Sequence, residues 1–211
     1  MTRLLVAVWF LTVAVPGWAQ PDLPALISRL HRSVVAVQRP TDKGLRTYCT
    51  AVVTSPVTVM TATHCLPDDG DVRTLWVDSV PALHILPEHG TLVSIRMGQI
   101  PTGWMPLPLR ARAPRVGEVV VGLGYAFGDH AMTALVGHAT HPTPYDEDAE
   151  HPHYSQAAWY DLHLLPGMSG GPIVDEQGNL LSINQGIAFL PGPLAWGTTY
   201  PDLRAFLKLA H

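Results

Sequence analysis

The stretch Pro166-Gly167-Met168-Ser169-Gly170-Gly171-Pro172 decides how this chain is read. Three glycines and two prolines in seven residues exclude a helix and interrupt a strand, so the segment is a tight turn that holds Ser169 exposed. Glycines on both sides also let neighbouring N–H groups converge on one spot. Such an amide pair stabilises the oxyanion of an acyl-transfer intermediate, worth roughly 3 kcal/mol per donor. A serine hydroxyl is a weak nucleophile until a base takes its proton, which directs attention to the histidines. His64 stands out, because it follows the strand-like run Thr58-Val59-Met60-Thr61-Ala62 and directly precedes Cys65. A bare glycine turn is a common thing; a glycine-flanked serine about a hundred residues after a cysteine-anchored histidine is not.

Composition narrows the classes around these two segments. The chain has 211 residues, of which 14% are charged and 47% hydrophobic, the reverse of a disordered sequence. Its 18 Gly and 20 Pro follow no fixed period, which excludes collagen-like and solenoid repeats. The net charge of −4, with no Lys/Arg cluster, argues against a nucleic-acid partner. Arg3, the apolar run Leu4 to Val15, and small residues ending at Ala19 read as a cleaved secretory signal over residues 1–19. The alternative is an uncleaved anchor, although the run falls short of the roughly 20 residues that span a bilayer. A secreted or periplasmic protein, with no membrane partner once the signal is removed, is the expectation.

Export bears on the two cysteines. In an oxidising compartment Cys49 and Cys65 are expected to form a bridge, and closing a loop of that length contributes roughly 3 kcal/mol. Two buried free thiols are the alternative, and zinc is weaker still because neither cysteine belongs to a CxxC pair. The rest of the mature chain reads as strands more often than helices. Asp22 to His31 has helical spacing, as does Asp202 to Ala210 at the end. Between them lie short β-branched runs: Ser33 to Val37, Thr50 to Val53, Thr58 to Ala62, Leu75 to Val77, Thr91 to Ile95, Glu118 to Leu123, Ala131 to Val136, Ile173-Val174 and Leu180 to Asn184. The basic, Pro-rich stretch Pro106 to Gly117 divides them into two halves. Many short, evenly spaced strands favour an antiparallel barrel or sandwich.

Thr61-Ala62-Thr63-His64-Cys65, with Cys49 before it, resembles the catalytic-histidine segment and histidine-loop disulfide of trypsin/chymotrypsin-like serine proteases. Pro166 to Pro172 resembles their nucleophile loop. Val116 to Gly128 and Gly178 to Asn184 are similar to segments of the HtrA/DegP-type group. The resemblance implies an all-β fold of two packed six-stranded antiparallel barrels, with short N-terminal and C-terminal helices and the site in the cleft. Residues 20–211 would form the protease domain, with barrels at about 32–110 and 118–200 and a final helix at 202–210. No PDZ domain is expected. It further implies Ser169 as nucleophile, His64 as general base, and the amides of Gly167 and Ser169 as oxyanion hole. Ile183, Asn184, Gln185 and Gly186 would form the edge along which a protein or peptide substrate pairs. No cofactor is implied.

The sequence departs from that family in three places. Thr91 stands where an aspartate should orient the histidine. Glu88, three positions earlier, is the leading candidate for a third catalytic member; His89, Asp68, Asp69, Asp71 and Asp78 are others, and a bare Ser–His dyad or an inactive relative needs none of them. Met168 replaces the aspartate that receives a new N-terminus in trypsin-like zymogens, so no proteolytic activation is expected. His163, six positions before the nucleophile, stands where trypsin-like enzymes set the base of the primary pocket; it either points into that pocket and, protonated, favours acidic side chains, or is an ordinary barrel histidine. A small or medium apolar residue before the cut is the default expectation. His138, His141, His151 and His153 flank an acidic stretch, but their spacing fits no defined metal site and no metal is expected. The reading is a secreted serine endopeptidase acting through an acyl-enzyme. Its alternative is a weak or inactive homologue that binds peptides.

Overall fold

The computed structural model describes residues 21–99, 102–141, 157–190 and 192–209. Residues 1–19, expected to be a secretory signal, the acidic stretch at 146–150, His151 and His153 lie outside them. Helix α1 (Leu23–Leu30) starts where Asp22 caps it, its carboxylate accepting the Ala25 N–H at 3.1 Å. Twelve strands follow among the described residues. Strands β1 (Val34–Thr41), β2 (Gly44–Ser55), β3 (Thr58–Ala62), β4 (Trp76–Val77), β5 (Val80–Ile85) and β6 (Leu92–Met97) close one antiparallel barrel in the order β1-β2-β3-β6-β5-β4. Strands β7 (Val119–Gly124), β8 (Thr133–His141), β9 (Ala157–Asp161), β10 (Pro172–Val174), β11 (Leu180–Leu190) and β12 (Gly192–Thr198) close a second. Its order, β10-β11-β12-β9-β8-β7, repeats the first: both halves run 1-2-3-6-5-4 in their own numbering. Helix α2 (Tyr200–Leu209) ends the described chain, capped by Thr199, whose hydroxyl bonds the Asp202 carboxylate at 2.6 Å.

Three apolar cores explain the unbroken hydrophobic runs of the sequence. Val35, Val37, Ala51, Val53 and Ile95 fill the first barrel, and Val120, Tyr160, Leu162, Ile173 and Leu181 fill the second. A third core lies between the barrels and beneath both helices, built from Val34, Val52, Leu123, Ile183, Leu26 and Phe206 among others. Strands at this junction bury both faces, so β1 shows five consecutive buried residues instead of alternation. The Pro-rich connection, expected to be irregular, is pinned along the junction. Leu107 donates to the Val53 carbonyl at 3.0 Å in one barrel, and Leu109 pairs with Leu180 in the other. The Arg110 side chain, 11% exposed, ion-pairs with Glu118 and with Asp175. No helix among the described residues is long and apolar enough to cross a membrane.

Candidate active site

Each barrel contributes one loop to the junction, and the sequence pins both. His64 sits in a short 3₁₀ turn, Thr63–Cys65, that follows β3. The turn is held from three directions. The Thr63 N–H donates to the Thr91 carbonyl at 3.0 Å, the Cys49–Cys65 disulfide spans a Cα–Cα distance of 6.0 Å, and the Tyr48 hydroxyl donates to the Cys65 carbonyl at 2.6 Å. The predicted bridge is therefore formed. Both sulfurs and a ring nitrogen of His64 lie within 4.8 Å of one another, but with the sulfurs bonded together neither is a thiolate able to hold a metal.

The His64 side chain is exposed on one side, and its ring makes no hydrogen bond among the described residues. Partial burial of the remainder lowers its pKa below 6.5, with no carboxylate acting in the other direction. Thr91 does stand beside the histidine turn through its backbone, and its side chain is exposed. Glu88 is also exposed and lines a cavity of about 460 Å³ with His89, Ser94 and Phe206. The structure does not join it to His64 by a hydrogen bond.

Ser169 lies half-buried between Met168, which is buried in the second barrel's core, and Gly170. Its loop is gripped by Thr50 of β2, a residue that carried no role in the sequence reading. The Thr50 N–H donates to the Ser169 carbonyl at 2.8 Å, and its hydroxyl donates to the Gly167 carbonyl at 2.8 Å. The same hydroxyl accepts the Tyr125 N–H at 3.0 Å, while the Thr61 hydroxyl donates to the Thr50 carbonyl at 2.7 Å. A Cβ at Gly170, where φ is +77°, would stand 2.0 Å from the Thr61 oxygen, so only glycine fits that close approach of the barrels. Gly167, at φ +93°, likewise faces the Tyr125 carbonyl, 2.3 Å from where a Cβ would be. Among the described residues neither the Gly167 nor the Ser169 N–H has an acceptor.

The four residues expected to form the substrate edge divide into two kinds. Ile183 pairs with Pro172, and Asn184 is spent on the nucleophile loop. Asn184 accepts the Gly170 N–H at 2.8 Å, donates its own N–H to Gly171 at 2.9 Å, and reaches the Met168 carbonyl with its amide at 3.0 Å. Gln185 sits at a bulge in the β11–β12 register and Gly186 opposite Trp196, so the edge facing the nucleophile loop opens from Gln185 onward. A Cβ at Gly186 would meet the Trp196 indole nitrogen at 2.8 Å. His163 is exposed, outside the barrel core.

Two solved structures of the Rv3671c protease from M. tuberculosis are similar to this chain. The active form is 20% identical over 99% of this chain and 93% of its own, with a TM-score of 0.69. The inactive form is 20% identical over 90% and 96%, with a TM-score of 0.71. At that identity the likeness speaks for the fold. Among curated proteins no match is found. Residues 49–183, from the first cysteine past the nucleophile loop, match the trypsin-like peptidase domain. That span is more than half of the chain and holds both His64 and Ser169, and the chain belongs to the trypsin-like peptidase domain family.

Proposed function

We propose that the protein is an exported serine endopeptidase in which Ser169 and His64 work as a dyad. His64 takes the Ser169 Oγ proton as the oxygen attacks a peptide carbonyl, and the oxyanion formed is held by the Gly167 and Ser169 N–H groups. His64 then gives its proton to the departing amine, leaving an acyl group on Ser169 that water removes. The observation that carries this reading is the pair of loops held together by Thr50 and Thr61, with the Gly167 and Ser169 N–H groups left without acceptors among the described residues. An acid partner for His64 is not part of the proposal. Triads deprived of it lose roughly 10⁴ in turnover and still exceed the uncatalysed rate, so a slow enzyme is physically sound. The Trp196 indole over Gly186 supports a small residue before the cut. Export rests on the segment 1–19 and on the disulfide, which persists in oxidising compartments.

The test is covalent labelling by a fluorophosphonate, which needs nucleophile, base and oxyanion hole together and no knowledge of the substrate. Ser169 should be labelled slowly, and His64→Ala should abolish the reaction. If the folded protein takes up no label on prolonged exposure, the protease reading is wrong, and peptide binding along Gln185 and Gly186 becomes the function.

A further inference from the structure

A second cavity, of about 480 Å³, adjoins the nucleophile loop, and no residue of β11 lines it. Gly167 forms one wall, and Arg39, Arg46 and Tyr48 of the β1–β2 hairpin form the opposite one. Phe127 stands at its rim, 70% exposed and held at φ 55°, a left-handed conformation that a phenylalanine rarely adopts. None of the residues lining this cavity is acidic.

Among the described residues no carboxylate pairs with either of the two cations here. The Arg39 guanidinium is stacked 4.2 Å over the Tyr48 ring, and its Nη2 donates to the Leu66 carbonyl at 2.8 Å. Its Nε is buried and has no partner. Stacking and the single carbonyl bond fix the plane of the group without supplying a negative charge. Arg46 is exposed, and no ion pair joins it to a carboxylate among the described residues. A preorganised cation and a free one, in a hollow with an aromatic rim, form a receptor for an anion.

Its place relative to the chemistry follows from the hydrogen bonds of the loop. The Gly170 N–H on Asn184 puts the β11 edge on the C-terminal side of Ser169, whereas Gly167 lies on the N-terminal side. A substrate strand paired with its acyl half along Gln185 and Gly186 passes Ser169 and runs on toward Gly167. We propose that the cavity binds the leaving-group half of the substrate and selects a carboxylate there, an Asp or Glu side chain within the first three residues after the cut. This rests on the endopeptidase reading and names its substrate class. A free chain terminus offers the same carboxylate, and the test separates the two sources.

The experiment is digestion of a peptide library by the mature protein, with the new N-termini read by mass spectrometry. One half of the library is blocked at its C-termini by amidation and the other half is free. Asp and Glu should be enriched over Lys and Arg after the cut by about tenfold, the size that two partly exposed ion pairs supply together. The enrichment should appear equally in the amidated half and shrink in 0.5 M salt. Arg46→Glu, which sets a carboxylate against the remaining Arg39 and brings the cavity to no net charge, should abolish the enrichment. Because the ratio is measured within one digest, it does not depend on how much of the variant folds. Equal cutting before acidic and basic residues, or an enrichment that Arg46→Glu leaves unchanged, overturns the proposal; enrichment confined to the free-terminus half overturns the side-chain assignment. If nothing is cut and Ser169 takes no fluorophosphonate, the endopeptidase reading fails on its own. The cavity is then read by fluorescence anisotropy with labelled Asp/Glu peptides and their Asn/Gln counterparts. Selective binding of the acidic set, lost in Arg46→Glu, sustains the receptor, and equal binding removes it.

Discussion

Replacing Thr91 by Asp should speed the enzyme. Thr91 directly precedes β6, and its carbonyl accepts the Thr63 N–H at 3.0 Å, so a carboxylate introduced there starts from backbone already bonded to the histidine turn. At present His64 has no hydrogen-bond partner among the described residues, and burial alone sets its pKa below 6.5. An unpartnered imidazole spends time in the wrong tautomer or rotamer, and no charge stabilises the imidazolium formed at the transition state. In full triads the acid is worth roughly 10⁴ in turnover, about 5.5 kcal/mol. A carboxylate placed in a site not shaped for it should recover part of that, about 10- to 10³-fold in kcat/KM, or roughly 1.4–4 kcal/mol. The pH profile provides a second, independent readout. The reactive form is neutral His64, so in the natural protein the acid limb of kcat/KM should lie below 6.5. The new carboxylate favours the protonated ring, so in Thr91→Asp that limb should move upward while the plateau rises. The assay is kcat/KM on a peptide substrate from pH 4 to 8, or the rate of fluorophosphonate labelling over the same range. Two results would refute the reasoning: no gain in rate with no movement of the limb, or a limb already above 6.5 in the natural protein. The second would mean that a carboxylate already partners His64.

Three further expectations concern neighbouring parts of the molecule. Glu88→Gln should change kcat by less than threefold, because Glu88 lines a cavity with Phe206 of α2 and no hydrogen bond joins it to His64 among the described residues; steady-state kinetics checks it, and a loss of orders of magnitude would make Glu88 the missing third member. Cys49→Ser with Cys65→Ser should lower the unfolding free energy by roughly 2–5 kcal/mol in urea titrations, and unfolded, unreduced natural protein should show no titratable thiol. Arg110→Ala should cost about 1.5–3 kcal/mol, since it takes the cation from the Glu118 and Asp175 carboxylates and leaves them only their bonds from the Arg115 N–H and Asn179. For Glu118, burial raises the pKa, but hydrogen bonds from Arg110 and the Arg115 N–H outweigh it and the net shift is downward. That clamp therefore contributes above the ordinary glutamate range and fades as pH falls below about 4.5, so the loss of denaturation midpoint toward acid should be shallower in Arg110→Ala than in the natural protein.

The elements visible in the sequence are those whose own side chains announce them. Val34 to Val37 and Ala51 to Val53 are apolar on both faces because one face fills a barrel and the other the junction, and they read as strands without help. Strand β5 was not read: of Val80–Ile85 only Val80, Ala82 and Ile85 are partly buried, Pro81 interrupts the pattern, and the strand exists because β4 and β6 pair with it. The same holds for β12, whose Gly-Pro start resembles a turn and whose strand character comes from β11 and β9. Strand β2 runs from Gly44 instead of Thr50, because its polar first part is one arm of a hairpin with β1. That polar arm carries Arg46 and Tyr48, so the cavity they line was invisible for the same reason as the strand.

The site divides along a similar line. Gly167, Ser169 and Gly170 were legible because a close approach of two backbones forbids a Cβ, and that constraint is written locally as glycine. Thr50 was not, although it holds the nucleophile loop through both its backbone and its hydroxyl. A threonine among Cys49, Ala51, Val52 and Val53 has the β-propensity of its neighbours, and the partners of its hydroxyl, Gly167 and Tyr125, lie more than seventy positions away. The one available signal was a polar residue inside an otherwise apolar run, a position where a buried hydroxyl must find partners. Asn184 carried the same signal at the end of Leu180 to Ile183, and its side-chain amide too holds the nucleophile loop. Buried polar residues set within or just after apolar runs thus mark, in this chain, the two struts between which Ser169 is suspended.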